Sequence, residues 1–161
     1  MNVHQEWRAF EQAYRYAPKH AKEVEQHYLK HLVRLLRAQG WEVFKMGKNA
    51  HWDLTIGRGG HVVRIEVKIA RPREKARRSE YYQFKLKSGG SRPVDGDVLI
   101  ACCCPDGPPS MVCFVIPTED LGDRATLEIT SAPHDYAGRW SKWRGAWGIL
   151  KESQDANADT P

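Results

Sequence analysis

Between Val24 and Leu36 apolar residues return at three- and four-residue steps: Val24, Tyr28, Leu32, Leu35 and Leu36. That period places them on one stripe of a helix over residues 19–39, with Gly40 to terminate it. A shorter helix is predicted over 6–16, and Pro18 separates the two. From residue 41 the period falls to two. WEVFKM (41–46) predicts a short strand, and residues 52–56 and 61–69 predict a hairpin around Gly57, Arg58, Gly59 and Gly60. YYQFKLK (81–87) alternates Tyr82, Phe84 and Leu86 against Tyr81, Gln83, Lys85 and Lys87, as a half-buried strand does. DVLIACC (97–103) and MVCFVIP (111–117) are apolar runs suited to central strands. Thr118 opens a short turn and LEITSA predicts a last strand. Trp140, Trp143, Trp147 and Leu150, three and four apart, predict a helix laid across the sheet. The expected fold is α/β, a central mixed sheet of about five strands flanked by helices. It forms one domain over 1–152, followed by a polar, disordered tail over 153–161.

Three positions of the hairpin resist a purely structural reading. Asp53, Glu66 and Lys68 lie inside strands, where such residues are depleted. Pairing Gly57 with Gly60 sets Leu54 opposite Val63 and Asp53 opposite Arg64. Val63, Ile65, Val67 and Ile69 then share a core face with Leu54 and Ile56, and the three charges share the other. In that register Asp53 and Glu66 are diagonal neighbours, roughly 7–8 Å apart and within reach of one bridging ion. Facing carboxylates repel unless a cation lies between them. Mg²⁺, with Mn²⁺ as its substitute, suits two carboxylates and the backbone carbonyl of Val67 while keeping several waters. Lys68 points to the same side, where it can position or help deprotonate a water, or stabilise charge on a phosphate oxygen. Such a set suits metal-assisted hydrolysis of a phosphodiester.

Charge adds a partner to this picture. Lys and Arg number 25 against 20 Asp and Glu, a net charge of +5, which permits a polyanion. The distribution says more: RPREKARR follows the hairpin directly, bringing Arg71, Arg73, Lys75, Arg77 and Arg78, and Lys85 and Lys87 come soon after. These are the candidate contacts to a DNA backbone. Gln83, on the polar face of its strand, is a candidate to orient water or phosphate. Cys102, Cys103, Cys104 and Cys113 match no paired-cysteine zinc spacing and read as reduced, buried thiols of core strands. His51 and His61 flank the hairpin without ligand spacing and read as ordinary turn-proximal histidines. No apolar run nears the roughly 18 residues of a membrane span, and the N-terminal residues form no signal-like apolar stretch, so a cytoplasmic protein is expected.

Asp53, twelve intervening residues, and then Glu66-Val67-Lys68 in an apolar strand, with a helix upstream and mixed strands downstream, resemble the PD-(D/E)xK nuclease superfamily. Its members include restriction endonucleases, Holliday junction resolvases and some intron-encoded homing endonucleases. The resemblance spans residues 20–117, and Trp52 stands where the family has proline. It implies a restriction-endonuclease-like core and Mg²⁺-dependent DNA cleavage. Asp53 and Glu66 would be the metal ligands and Lys68 the catalytic lysine, in a homodimer, since two strands must be cut. It also implies a further acid on the helix, for which Glu25 and Glu23 are both available. A junction resolvase, a sequence-specific restriction or homing enzyme, a non-catalytic nucleic-acid-binding module and a subunit of a larger nucleoprotein assembly all remain open.

Overall fold

The apolar stripe forms the helix it predicts. In the computed structural model, which describes residues 21–75, 78–86, 94–105 and 111–152, helix α1 runs Ala21–Ala38 and buries Tyr28, Leu32, Val33 and Leu36. It ends where Gly40 takes a φ of 92°: Gly40 N–H donates to Arg37 O and Trp41 N–H to Leu36 O, a Schellman closure that satisfies the last carbonyls. The predicted helix over 6–16 and the tail over 153–161 lie outside the described residues.

Among the described residues eight strands follow: β1 (Glu42–Lys45), β2 (Leu54–Arg58), β3 (His61–Ala70), β4 (Arg73–Lys75), β5 (Arg78–Lys85), β6 (Val98–Cys103), β7 (Val112–Pro117) and β8 (Thr126–Ile129). Five of them form the expected mixed sheet, in the order β1-β2-β3-β6-β7, with β3 and β6 parallel and the other pairs antiparallel. β4, β5 and β8 form a second sheet of three. The basic run after the hairpin is therefore partly strand.

The five-stranded sheet carries a core on each face. On the first, Leu32 and Leu36 of α1 pack with Val43, Leu54, Ile56, Val63, Ile65, Val98, Ile100 and Val115. On the second, Tyr82 and Phe84 of β5 and Leu127 and Ile129 of β8 cover Leu99, Ala101, Cys103, Phe114 and Ile116. Each fully buried Leu, Ile or Phe contributes about 1.5–3 kcal/mol, so both layers hold the sheet. The four cysteines are buried free thiols, and Cys102 faces Cys113 across β6 and β7 with their sulfurs 3.6 Å apart.

Two sequence expectations are corrected. The hairpin register is shifted by two residues: Leu54 faces Ile65 and Thr55 faces Arg64, whereas pairing Gly57 with Gly60 sets Val63 against Leu54 and Arg64 against Asp53. The loop is only Gly59-Gly60, at φ 57° and 82°, so Arg58 pairs with His61. Two successive positive φ angles give a tight turn whose twist matches the strands, which four loop residues do not require. A shift of two keeps every side chain on its predicted face. The tryptophan-rich segment is not a helix across the sheet. It is a 3-10 turn at Ser141–Trp143 and a short helix α2 (Ile149–Glu152), separated by Gly145 at φ 59°. Arg144 bridges to Phe114 and Gly145 N–H donates to Cys113 O, so the segment wraps the β7 edge. Trp140 and Trp143 then pack on the second core and Trp147 on the first.

Candidate active site at the open end of the β2–β3 hairpin

β2 begins at Leu54, and Asp53 just before it continues the pairing by two different means. Its N–H donates to Ile65 O and its carbonyl accepts from Met46 N–H, which fixes the main chain between β1 and β3. Its carboxylate accepts the N–H of Val67 at 2.7 Å, the next β3 donor on that side. A side chain thus fills the place of a missing strand residue. In a strand the N–H and C=O of one residue point to the same side, so the Val67 carbonyl is directed past the end of β2, beside the Asp53 carboxylate.

Glu66 and Lys68 stand on the second face, level with Leu99 and Ala101 of β6. The cover supplied by β5 and β8 thins here: the Glu66 side chain is 17% exposed and that of Lys68 35%. Lys68 Nζ lies 3.5 Å from Glu66 Oε1. Burial, and then the charge of Asp53, push the Glu66 carboxyl above its ordinary range against the opposing pull of Lys68. A partly desolvated carboxylate and ammonium are therefore gathered with the exposed carboxylate of Asp53. The net negative pair is the condition that favours a hard cation on oxygen ligands.

A rim surrounds this site that the sequence reading missed. Arg64 is stacked over Trp52 at 5.3 Å and gripped by Asp97, which accepts its guanidinium at 3.1 Å and its backbone N–H at 2.9 Å. The Trp52 indole N–H donates to Thr55 Oγ1 at 2.9 Å. His51, read from sequence as an ordinary histidine, sits 3.7 Å from Asp95, whose charge also reaches Glu66. Residues 51–53 and 95–97 thus approach from both sides of β3. VDGD before β6 was the only local signal of this, an acidic turn next to an apolar strand.

The remaining candidates are distributed otherwise. Glu25 and Glu23 are exposed on α1, which covers the first face, whereas Glu66 and Lys68 stand on the second. Among the described residues no group of three His, Cys, Asp or Glu is disposed to hold a metal, so the expected ligand Glu25 is not brought to Asp53 and Glu66. The Gln83 amide is engaged across the three-stranded sheet, accepting from Arg73 at 2.9 Å and donating to Glu128 at 3.2 Å. Arg73 and Lys85 are exposed and Arg71 is half-buried near Cys104. Arg77 and Lys87 lie outside the described residues, as do the side chains of Lys75 and Arg78.

No family model matches the chain, and no curated protein matches its sequence. Among solved structures it is similar to that of a bacterial homing endonuclease, I-Ssp6803I, with a TM-score of 0.67 at 18% identity, over 89% of this chain and 99% of that one. At that identity the likeness is one of fold: the mixed sheet with its two covering layers is an architecture shared with a bacterial homing endonuclease.

Proposed function

We propose that the chain is a metal-dependent DNA endonuclease that hydrolyses phosphodiester bonds at Asp53, Glu66 and Lys68. The observation that carries this reading is the convergence of the three charges at the open end of the hairpin, with Asp53 anchored to the Val67 N–H. A structural or purely binding role gives no reason to bring the exposed carboxylate of Asp53 up to the half-buried one of Glu66. The donor set is all hard oxygen and fits Mg²⁺ or Mn²⁺, held by Asp53, Glu66 and the carbonyl of Val67; when bound, the ion neutralises the carboxylates and polarises the scissile phosphate. Lys68, tethered by Glu66, offers its ammonium to the attacking water or to a phosphate oxygen. Attack by water on phosphorus breaks one P–O ester bond and leaves a phosphate on one strand end and a hydroxyl on the other. Arg71, Arg73 and Lys85, with Lys75, Arg77, Arg78 and Lys87, would hold the backbone beyond the site. The likeness to a bacterial homing endonuclease supports DNA as the substrate, and cutting both strands of a duplex would require two copies.

A panel of linear duplexes of diverse sequence, a four-way junction and a flap, each with Mg²⁺ or Mn²⁺, tests the reading. Cleavage of at least one duplex that stops on adding EDTA is the expected result. No cleavage of any substrate by a chain that folds and binds metal would overturn it.

A further inference from the structure

The second core ends in a feature that the catalytic site does not use. Trp140 is buried beneath the surface of that layer, and two guanidinium groups stack on it: Arg124, from the turn before β8, at 5.4 Å from the ring centroid, and Arg139 at 5.2 Å. Three residues after Arg139, Lys142 places its ammonium 4.7 Å from the centroid of Trp143. All three cationic residues are exposed. The two centroid distances hold the guanidinium carbons within about 11 Å of each other.

Among the described residues, the other stacked arginines have acceptors. Arg64 is held by Asp97, Arg58 donates to Gln39 O, and Arg144 donates to Pro133 O and Tyr136 O. Among the described residues, Arg124, Arg139 and Lys142 donate to no protein acceptor and pair with no carboxylate, although Asp123 adjoins Arg124 in the chain. Stacking fixes a guanidinium plane while leaving its N–H edge open, the arrangement that recognises phosphate oxygens. Like charges gathered without a counter-ion repel, and a bound anion relieves that repulsion. Trp140 belongs to the core on the second face of the sheet, the face from which Glu66 and Lys68 project.

We propose that Arg124, Arg139 and Lys142 form a phosphate-binding patch that grips the DNA backbone on the catalytic side of the molecule. The identity of the ligand as DNA rests on the nuclease reading; the anion chemistry does not. The patch is separate in sequence from the basic run over 71–87, and Arg124 adjoins the end of that run, where Leu86 N–H donates to Ala125 O.

The test is duplex binding by the full chain in EDTA, read by fluorescence anisotropy of a labelled 30-base-pair duplex over a series of salt concentrations. Two variants each remove three exposed charges: Arg124→Gln with Arg139→Gln and Lys142→Gln, and, on the α1 layer, Lys22→Gln with Lys30→Gln and Arg34→Gln. Each lost phosphate contact lowers the slope of log K against log salt by about 0.9, so the first variant should lose about two to three units and the second almost none. Equal losses in the two variants, or no loss in the first, overturn the patch, as does competition by poly-glutamate as strong as by unlabelled duplex. Wild-type cleavage is scored separately. A chain that binds through the patch and never cuts overturns the nuclease reading alone, and a chain that cuts while both variants bind alike overturns the patch alone.

Discussion

β3 and β6 lie side by side in parallel, paired from Ile65 with Val98 to Ala70 with Cys103, yet their residues are chosen by different rules. All six residues of β6 are buried. Its neighbour buries only Val63 and Ile65, and carries Glu66 and Lys68 level with Leu99 and Ala101. β6 runs under α1 and the first core on one side and under β5 and β8 on the other, and a strand covered on both faces admits almost no charge. β3 stands at the margin of the second cover. There a carboxylate can be desolvated enough to be perturbed and still keep a path to solvent. A functional position on this sheet is therefore set by where the covering layer ends.

Five substitutions probe that contrast. The largest effect should be on chemistry with stability kept: Lys68→Ala or Asp53→Asn should lower duplex cleavage by about a hundredfold or more. Asp53→Asn keeps an oxygen for the Val67 N–H, so thermal unfolding should move little. Cleavage by either variant at the wild-type rate would remove the site from β3. On the other strand the expectation inverts. Ile100→Ala should cost about 2–5 kcal/mol of stability by denaturant titration while activity per folded molecule persists. A loss below about 1 kcal/mol there would show that β6 is not the packed strand described.

The third effect is smaller and depends on pH. Burial and Asp53 raise the Glu66 carboxyl, so the metal-free fold holds that proton more tightly than the unfolded chain does. Stability from this group is then present at low pH and is lost as pH rises from the unfolded value, about 4.3, through the raised one. Glu66→Gln should accordingly unfold at a higher temperature than wild type in EDTA at pH 8, with the gap closing toward pH 4. An identical melting point at both pH values would mean that the pair carries no repulsion. Smallest is Gln83→Ala. Because its amide is committed to Arg73 and Glu128, cleavage should fall by less than about tenfold, below the range of a group acting on the reacting proton. A larger fall would return Gln83 to the site.

Much of this molecule was legible in one dimension. The period of α1, the apolar runs of β6 and β7, the five-strand mixed sheet and the sorting of Asp53, Glu66 and Lys68 away from the first core all follow from side chains acting within a few residues of one another. Alternation even tolerated a wrong register, since a slip of two residues leaves each face unchanged. What alternation could not reach was decided by layers meeting. Whether Glu66 is half-buried depends on how far β5 and β8 extend over β3. Whether Gln83 joins the site depends on Glu128, which lies 45 residues along the chain. The tryptophans, spaced as for a helix, are parted by Gly145 and the β7 edge, and only that wrapping sets Trp140 under both Arg124 and Arg139. Periodicity along the chain set which residues share a face with the first core and where charge interrupts the strands; that the other face carries a second core came from β5 and β8 packing over it. Tertiary structure decided which interruptions converge, because burial and the distance between distant residues belong to the packed layers and to no single segment.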